Sequence, residues 1–268
     1  MHDPDHGTAD AEQALLACAV QAARAAGAHA LRNLHRRREV HLYADHDIKL
    51  VLDRECQEVA RGVILGLFPG HAVLGEEDDV FAAAPGAGTC EWVIDPIDGT
   101  VNFFHSLPQW CCSVAVRRGD RTLAGAVFAP ELEELYTAAA SAPSALNGAP
   151  IRVSATPALD QAIVMTGADR SLAPELPSFT FLTRIAEHAQ RARVMGSAAL
   201  DLCRVASGQA DGYFEGGIYL WDVAAAGLIV QQAGGRAEIL KRHREPHRLR
   251  YLASNGLIHD ELKALVSL

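Results

Sequence analysis

The chain lacks a surplus of positive charge. Across 268 residues, 24 lysines and arginines stand against 33 acidic residues, a formal net charge of -9. That balance argues against a general binder of nucleic-acid polymers, which carries a basic surplus. It leaves phosphate substrates open, because bound metal ions supply positive charge locally. No C-x-x-C pair occurs among the six cysteines, Cys18, Cys56, Cys90, Cys111, Cys112 and Cys203, so a zinc or thioredoxin-like reading is poor. They read instead as small buried thiols of a reduced compartment. The N-terminal MHDPDHGTAD has no apolar segment of the signal-peptide kind. No run approaches the roughly 18 consecutive apolar residues of a membrane span. The expectation is a cytoplasmic protein with no membrane partner. No internal repeat is visible.

What is present is an ordinary globular composition, 49% apolar and 21% charged, with length enough for a sizeable core. Helical spacing of Leu15, Leu16, Ala19, Val20, Ala23, Ala26 and Ala30 predicts a helix over 10–34. A second helix is expected over 53–67, with Asp53 as N-cap and Pro69-Gly70 as its stop. Short strands are predicted at 71–75, 91–94, 111–117, 122–128 and 135–139, with a hairpin turn at Gly119-Asp120. Residues 81–89 and 141–150 read as loops, the second turning at Asn147-Gly148. The second half alternates. Strands are expected at 163–166, 192–195, 213–215, 236–240 and 251–253, and helices at 178–189, 197–207, 221–233 and 257–267. The mixture predicts an α/β protein of layered sheets and helices.

Chemistry concentrates in EWVIDPIDGTVNFFH, Glu91 to His105. Asp95 ends an apolar strand, the usual place for functional residues in α/β layers. Pro96 removes a ladder donor. Asp98 reads as an N-cap for a helix starting at Gly99, whose free N–H groups would form an anion site. Two carboxylates beside an anion site repel one another and the anion, and a hard divalent cation such as magnesium resolves that conflict. An uncatalytic helix cap with a solvated partner carboxylate explains this segment equally well. Other acidic positions have plain readings too. Glu76 to Asp79 suits a solvated turn, Asp222 an N-cap, and Glu215 a surface turn before Gly216-Gly217.

Four segments together carry more: GEE at 75–77, DPIDGTVNFFH at 95–105, GYFEGGIYLWDVAAAG at 212–227 and QQAGG at 231–235. In combination and order they resemble the inositol monophosphatase family, magnesium-dependent and lithium-sensitive phosphatases. The resemblance spans about 45–266. It implies a layered αβαβα sandwich of the inositol monophosphatase and fructose-1,6-bisphosphatase type. It also implies a homodimer and two or three Mg2+ ions. The chain is then one phosphatase domain, 1–268, with an α+β half to about 145 and an α/β half from about 146. Metal ligands implied by the resemblance are Glu76, Asp95, the carbonyl of Ile97, Asp98 and Asp222. Gly99 and Thr100 would hold phosphate, with Thr100 paired to Asp53 to position the attacking water. Glu76 joins these two as a catalytic group. Ser197, Ala198, Glu215 and Asp222 would line the substrate.

The chain also departs from the family pattern. Leu50 and Leu52, with Lys49 beside them, occupy positions where threonines are usual. The cluster Asp45-His46-Asp47 and Val101 are further departures. The basic segment 241–250 reads as a solvated loop or a rim that attracts anions. The expected activity is hydrolysis of a small phosphorylated alcohol, most simply inositol monophosphate. Nucleotide 3'-phosphates, sugar bisphosphates or histidinol phosphate are alternative substrates, and a non-catalytic metal-binding homologue is a further reading. A haloacid-dehalogenase-type phosphatase is disfavoured, because its aspartates are two apart and the first is a nucleophile.

Overall fold

The computed structural model describes residues 4–44, 47–78, 86, 88–168 and 179–267. Asp45, His46, Asp79, most of the 81–89 loop and the expected helix start at 178 lie outside the described residues.

The order begins with helix α1 (Pro4–Arg32), a hairpin β1 (Val40–Ala44) and β2 (Asp47–Leu50), and helix α2 (Val51–Leu67). A seven-stranded sheet follows. Its strands are β3 (Ala72–Gly75), β4 (Cys90–Asp98), β5 (Cys111–Arg118), β6 (Arg121–Ala129), β7 (Glu134–Ala139), β8 (Ala142–Leu146) and β9 (Ala149–Pro150), with the short helix α3 (Thr100–Phe104) after β4. They lie side by side in chain order, antiparallel except for the parallel β3–β4 pair. The remainder comprises β10 (Ile163–Thr166), α4 (Thr180–His188), β11 (Arg191–Arg193), α5 (Ala198–Ala206), β12 (Gly212–Tyr219), α6 (Leu220–Gln232), β13 (Arg236–Arg242), β14 (Arg248–Ser254) and α7 (His259–Val266). Its five strands form a second sheet, ordered β11-β10-β12-β14-β13.

Five layers result. Helices α1 and α2 cover one face of the seven-stranded sheet, and α5 and α6 lie between the sheets. Helices α4 and α7 cover the far face of the five-stranded sheet. Each interface has its own apolar filling. Ala19, Ala22, Ala23, Ala26 and Ala30 of α1 let the helix sit close to Trp92, Val114 and Ala126. Helix α6, apolar on every side from Val223 to Val230, is buried between both sheets, among Cys111, Val127, Tyr213 and Tyr251. Such all-round apolarity is what a central-layer helix needs. Phe181, Ile185, Leu252 and Leu262 fill the last interface. The stretch Ala11–Arg32 is long and apolar enough to cross a membrane by composition, yet its small residues form this outer core.

Several expectations shift. The 141–150 segment is a hairpin, β8 and β9, turning through Asn147 and Gly148 at φ 50° and 82°. The β1–β2 hairpin was not expected at all. Asp53 and Asp222 do not cap their helices. Leu50 and Tyr219 stand at the N-caps, and each aspartate sits at the third helical position. Asp98 belongs to β4, and Gly99 is the N-cap of α3. All six cysteines are free and buried.

Candidate active site

In a regular strand, residues three apart point to opposite faces. Asp95 and Asp98 escape that rule. Across the β4–β5 ladder Asp95 pairs with Ser113 and Asp98 with Cys111, so three steps on β4 match two on β5. The extra residue is a β-bulge at Pro96, which has no N–H to lose from the ladder. Ser113 and Cys111 share a face, and so therefore do the two aspartates. That face looks onto the middle layer: Ser113 Oγ donates to Trp221 O in α6, and Cys111 belongs to the central core. Cys112 points the other way and donates to Pro96 O.

Two more carboxylates are brought up by neighbouring elements. Glu76 follows β3, whose last residue, Gly75, pairs with Ile94. A side chain at Gly75 would strike the Gln57 amide at 2.1 Å. That close approach lets Gln57 accept the Glu77 N–H at 2.9 Å and donate to Asp78, fixing the turn. Asp222 starts α6, its Oδ2 accepting the Tyr219 N–H at 2.8 Å. Oxygens of Glu76, Asp95 and Asp222 lie within 4.8 Å of one another.

Asp98 is turned elsewhere. Its Oδ1 accepts the Ala198 N–H at 3.2 Å, and its Oδ2 accepts the Ala199 N–H at 2.8 Å and the Ser197 hydroxyl at 2.5 Å. It thus supplies the anionic cap of α5 from another sheet, where the helix dipole favours it. Gly99 follows at φ 90°, and a Cβ there would meet Gln109 O at 2.9 Å. Thr100 Oγ1 donates to Ile97 O at 2.9 Å. The expected Asp53–Thr100 pairing is therefore replaced. At the first position of α3, the threonine hydroxyl finds the carbonyl three residues back. Asp53 is 2% exposed, with Oδ2 on the Leu50 N–H and, among the described residues, no hydrogen-bond partner for Oδ1. The Ile97 side chain is buried in the outer core.

Burial is the first cause raising the carboxyl groups of Asp53, Asp95 and Asp222 well above the ordinary carboxylate range. Neighbouring negative charge adds to it: Glu77 and Glu76 for Asp53, and Glu76, Asp98 and Asp222 for Asp95. For Asp222 the neighbouring negative charges are Asp98 and Glu76. A proton is the smallest cation that relieves such a cluster. The donor set is all carboxylate oxygen, the chemistry of a hard divalent ion, so these residues fit such a cation.

Beside the carboxylates lies a cavity of about 330 Å³, bounded by Asp98, Ser197, Ala198, Glu215 and Asp222. Glu215 lies on β12, with Oε2 accepting the Tyr213 hydroxyl at 2.6 Å. It is pressed against Gly167, where a Cβ would meet it at 2.2 Å. Thr166 and Asp201 line the same cavity, and the sequence reading passed over both. The signal for Asp201 was a carboxylate inside the otherwise apolar run AALDLC. Burial first, then Asp98 and Glu215, push it up to about 8.

Residues 11–267 match the model of the inositol monophosphatase family. An inositol-1-monophosphatase of Synechocystis sp. is 40% identical over 223 residues, 81% of this chain and 75% of that protein. A Nus factor SuhB of Pasteurella multocida is 36% identical over 224 residues, 82% of this chain and 83% of that one. The structure of an inositol monophosphatase from Anabaena (Nostoc) sp. is similar at a TM-score of 0.81 and 32% identity, over 95% of both chains.

Proposed function

Because this chain belongs to the inositol monophosphatase family, we propose that it hydrolyses a small phosphate monoester, inositol monophosphate foremost, with Mg2+ as cofactor. It is an enzyme of the phosphoric monoester hydrolase class. The observation that carries the reading is the convergence of Glu76, Asp95 and Asp222 beside the cavity that holds Asp98 and Glu215.

Glu76, Asp95, Asp98, Asp222 and the Ile97 carbonyl would hold the ions. Bound magnesium supplies positive charge for the phosphoryl oxygens and the leaving alcohol and acidifies water. The protein's own residues do the positioning. N–H groups of Gly99 and Thr100, at the start of α3, hold phosphate oxygens. Asp53 offers its unpartnered Oδ1 to the attacking water, and Thr100 orients that water once its hydroxyl leaves Ile97 O. Ser197 and Ala198 wall the alcohol side, and Glu215 accepts from its hydroxyls. Phosphoryl transfer of this kind needs placement and charge compensation more than covalent help from the protein.

The purified protein is expected to release phosphate from inositol 1-phosphate only with magnesium present, and lithium is expected to inhibit it. Release assays across a panel of phosphomonoesters check this, and no magnesium-dependent release from any substrate refutes it. Asp98→Asn is expected to lower kcat by about a thousandfold, since a negative charge that would help hold the cation is lost. It should also cost about 1 kcal/mol of stability, because the amide keeps one acceptor oxygen where the carboxylate offers two to Ser197, Ala198 and Ala199. Steady-state kinetics and denaturant melts separate the two effects.

A further inference from the structure

We propose that Asp201 is a specificity residue: its carboxyl group pairs with a free hydroxyl of the substrate alcohol, and so selects neutral polyol monophosphates. The claim rests on the phosphatase reading and sharpens its substrate class.

Asp201 lies in the first turn of α5, one helical turn after Ser197. Its neighbours Leu200, Leu202, Cys203 and Val205 are buried core residues, and Asp201 itself is only 4% exposed. A carboxyl group so placed ordinarily serves a structural partner. Among the described residues this one has no side-chain hydrogen-bond partner. Arg204, the cation that acts on it electrostatically, is committed elsewhere, at 2.9 Å from Glu134 and 2.8 Å from the Tyr136 hydroxyl. Asp201 borders two openings, the 330 Å³ cavity beside Asp98 and Glu215 and one of about 240 Å³ shared with Ser197, Arg204 and Gln209, and the first adjoins Asp222 of the carboxylate cluster. An apolar residue would suit the helix better, so the carboxyl group answers to what enters the cavity.

The chemistry of the entrant follows from the walls. Thr166, Ser197, Glu215 and Asp201 are all able to accept hydrogen bonds. Of Glu215, one oxygen is already taken by Tyr213. Among the described lining residues there is no lysine, arginine or histidine. A hydroxyl donated to Asp201 satisfies a group that is otherwise desolvated and unpaired. An alcohol without that hydroxyl leaves it unpaired, and an alcohol with a second phosphate meets two acidic side chains instead of a counter-charge.

The test compares wild type, Asp201→Asn and Asp201→Leu on inositol 1-phosphate, fructose 1,6-bisphosphate and phenyl phosphate, with magnesium. Wild type is expected to prefer inositol 1-phosphate. In Asp201→Leu, the kcat/KM ratio of inositol 1-phosphate to phenyl phosphate should fall by about 10- to 100-fold, mostly through KM. Asp201→Asn still pairs a hydroxyl and should hold that ratio within about threefold, while the bisphosphate gains about tenfold relative to inositol 1-phosphate. If both variants change all three substrates by one common factor, the role is structural and the proposal fails. If Asp201→Leu does not fold in a thermal melt, the bisphosphate ratio of Asp201→Asn decides alone. Absence of phosphate release from all three substrates by wild type refutes the phosphatase reading. Release with unchanged ratios in the variants refutes only the role of Asp201.

Discussion

At Asp95 and Asp98 a proline and one surplus residue turn two carboxylates to the same face, and a glycine then bends the chain sharply. Gly99 holds φ 90° with three atoms of the neighbouring loops within 3.2 Å of where a Cβ would stand. Gly99→Ala is therefore expected to cost about 1–3 kcal/mol, from left-handed strain and the clash with Gln109 O. Denaturant melts at constant pH check this. The DPIDGT motif made these residues visible, because Pro and Gly punctuate it where the backbone needs them. The partners of Asp98 were not visible. Ser197, Ala198 and Ala199 lie about a hundred positions away, and only the packing of the two sheets brings α5 to the bulge. Asp201 was missed for the same reason: one carboxyl group in an apolar helix reads as an exposed face until the middle layer is assembled.

Among the elements, strand ends were legible where turn residues mark them, as at Gly119-Asp120 between β5 and β6. Helix starts were less so. Aspartate is favoured at N-caps, so Asp53 and Asp222 were assigned there, whereas both reach back from the third position to an N-cap N–H. The shift by three residues matters for the site, since it carries each carboxylate inside its helix and buries it. The β8–β9 hairpin escaped notice because its Ala, Ser and Pro residues carry little strand preference. Between α1 and α2, Glu55 accepts from His29 at 2.8 Å and from Arg36 at 2.8 Å. The Arg36 guanidinium, with His29 second, lowers the Glu55 carboxyl from 4.5 to about 2. A depressed acid stabilises the fold above its unfolded value and loses that contribution as the pH falls toward its folded value. Glu55→Gln should thus destabilise by no more than about 1 kcal/mol at pH 7, given how exposed the pair is. The gap to wild type should close between about pH 4.5 and 2. Urea melts across that range measure it.

For the whole molecule, layering explains why the acidic cluster exists at all. Carboxylates from β4, the turn after β3, and α6 are each held by their own element, so none is free to swing away from the others. Their mutual repulsion is a standing cost in the metal-free protein, and a divalent cation removes it. Magnesium at a hundredfold excess over its Kd is expected to add about 2.7 kcal/mol, roughly 5 °C or more in Tm for a chain of this size. Asp95→Asn and Asp222→Asn should blunt that shift. Melts in chelator and in magnesium supply the comparison, and equal melting temperatures would show that the cluster is not a cation site. The five-layer arrangement was readable from the alternation of elements and the family motifs. The order of strands in the five-stranded sheet was not, since it depends on long-range pairing that no local pattern encodes.

The bulge at Pro96 also has a meaning for the chain's tolerance of change. Most surface turns accept a residue more or less. Between Asp95 and Asp98, removing one residue would dissolve the bulge and leave the two aspartates two apart in a regular strand, still on one face. Inserting one while the bulge stays would swing Asp98 toward the outer core of α1 and α2. The segment is therefore more open to losing its surplus residue than to gaining another, and parity, more than identity, is what its spacing protects.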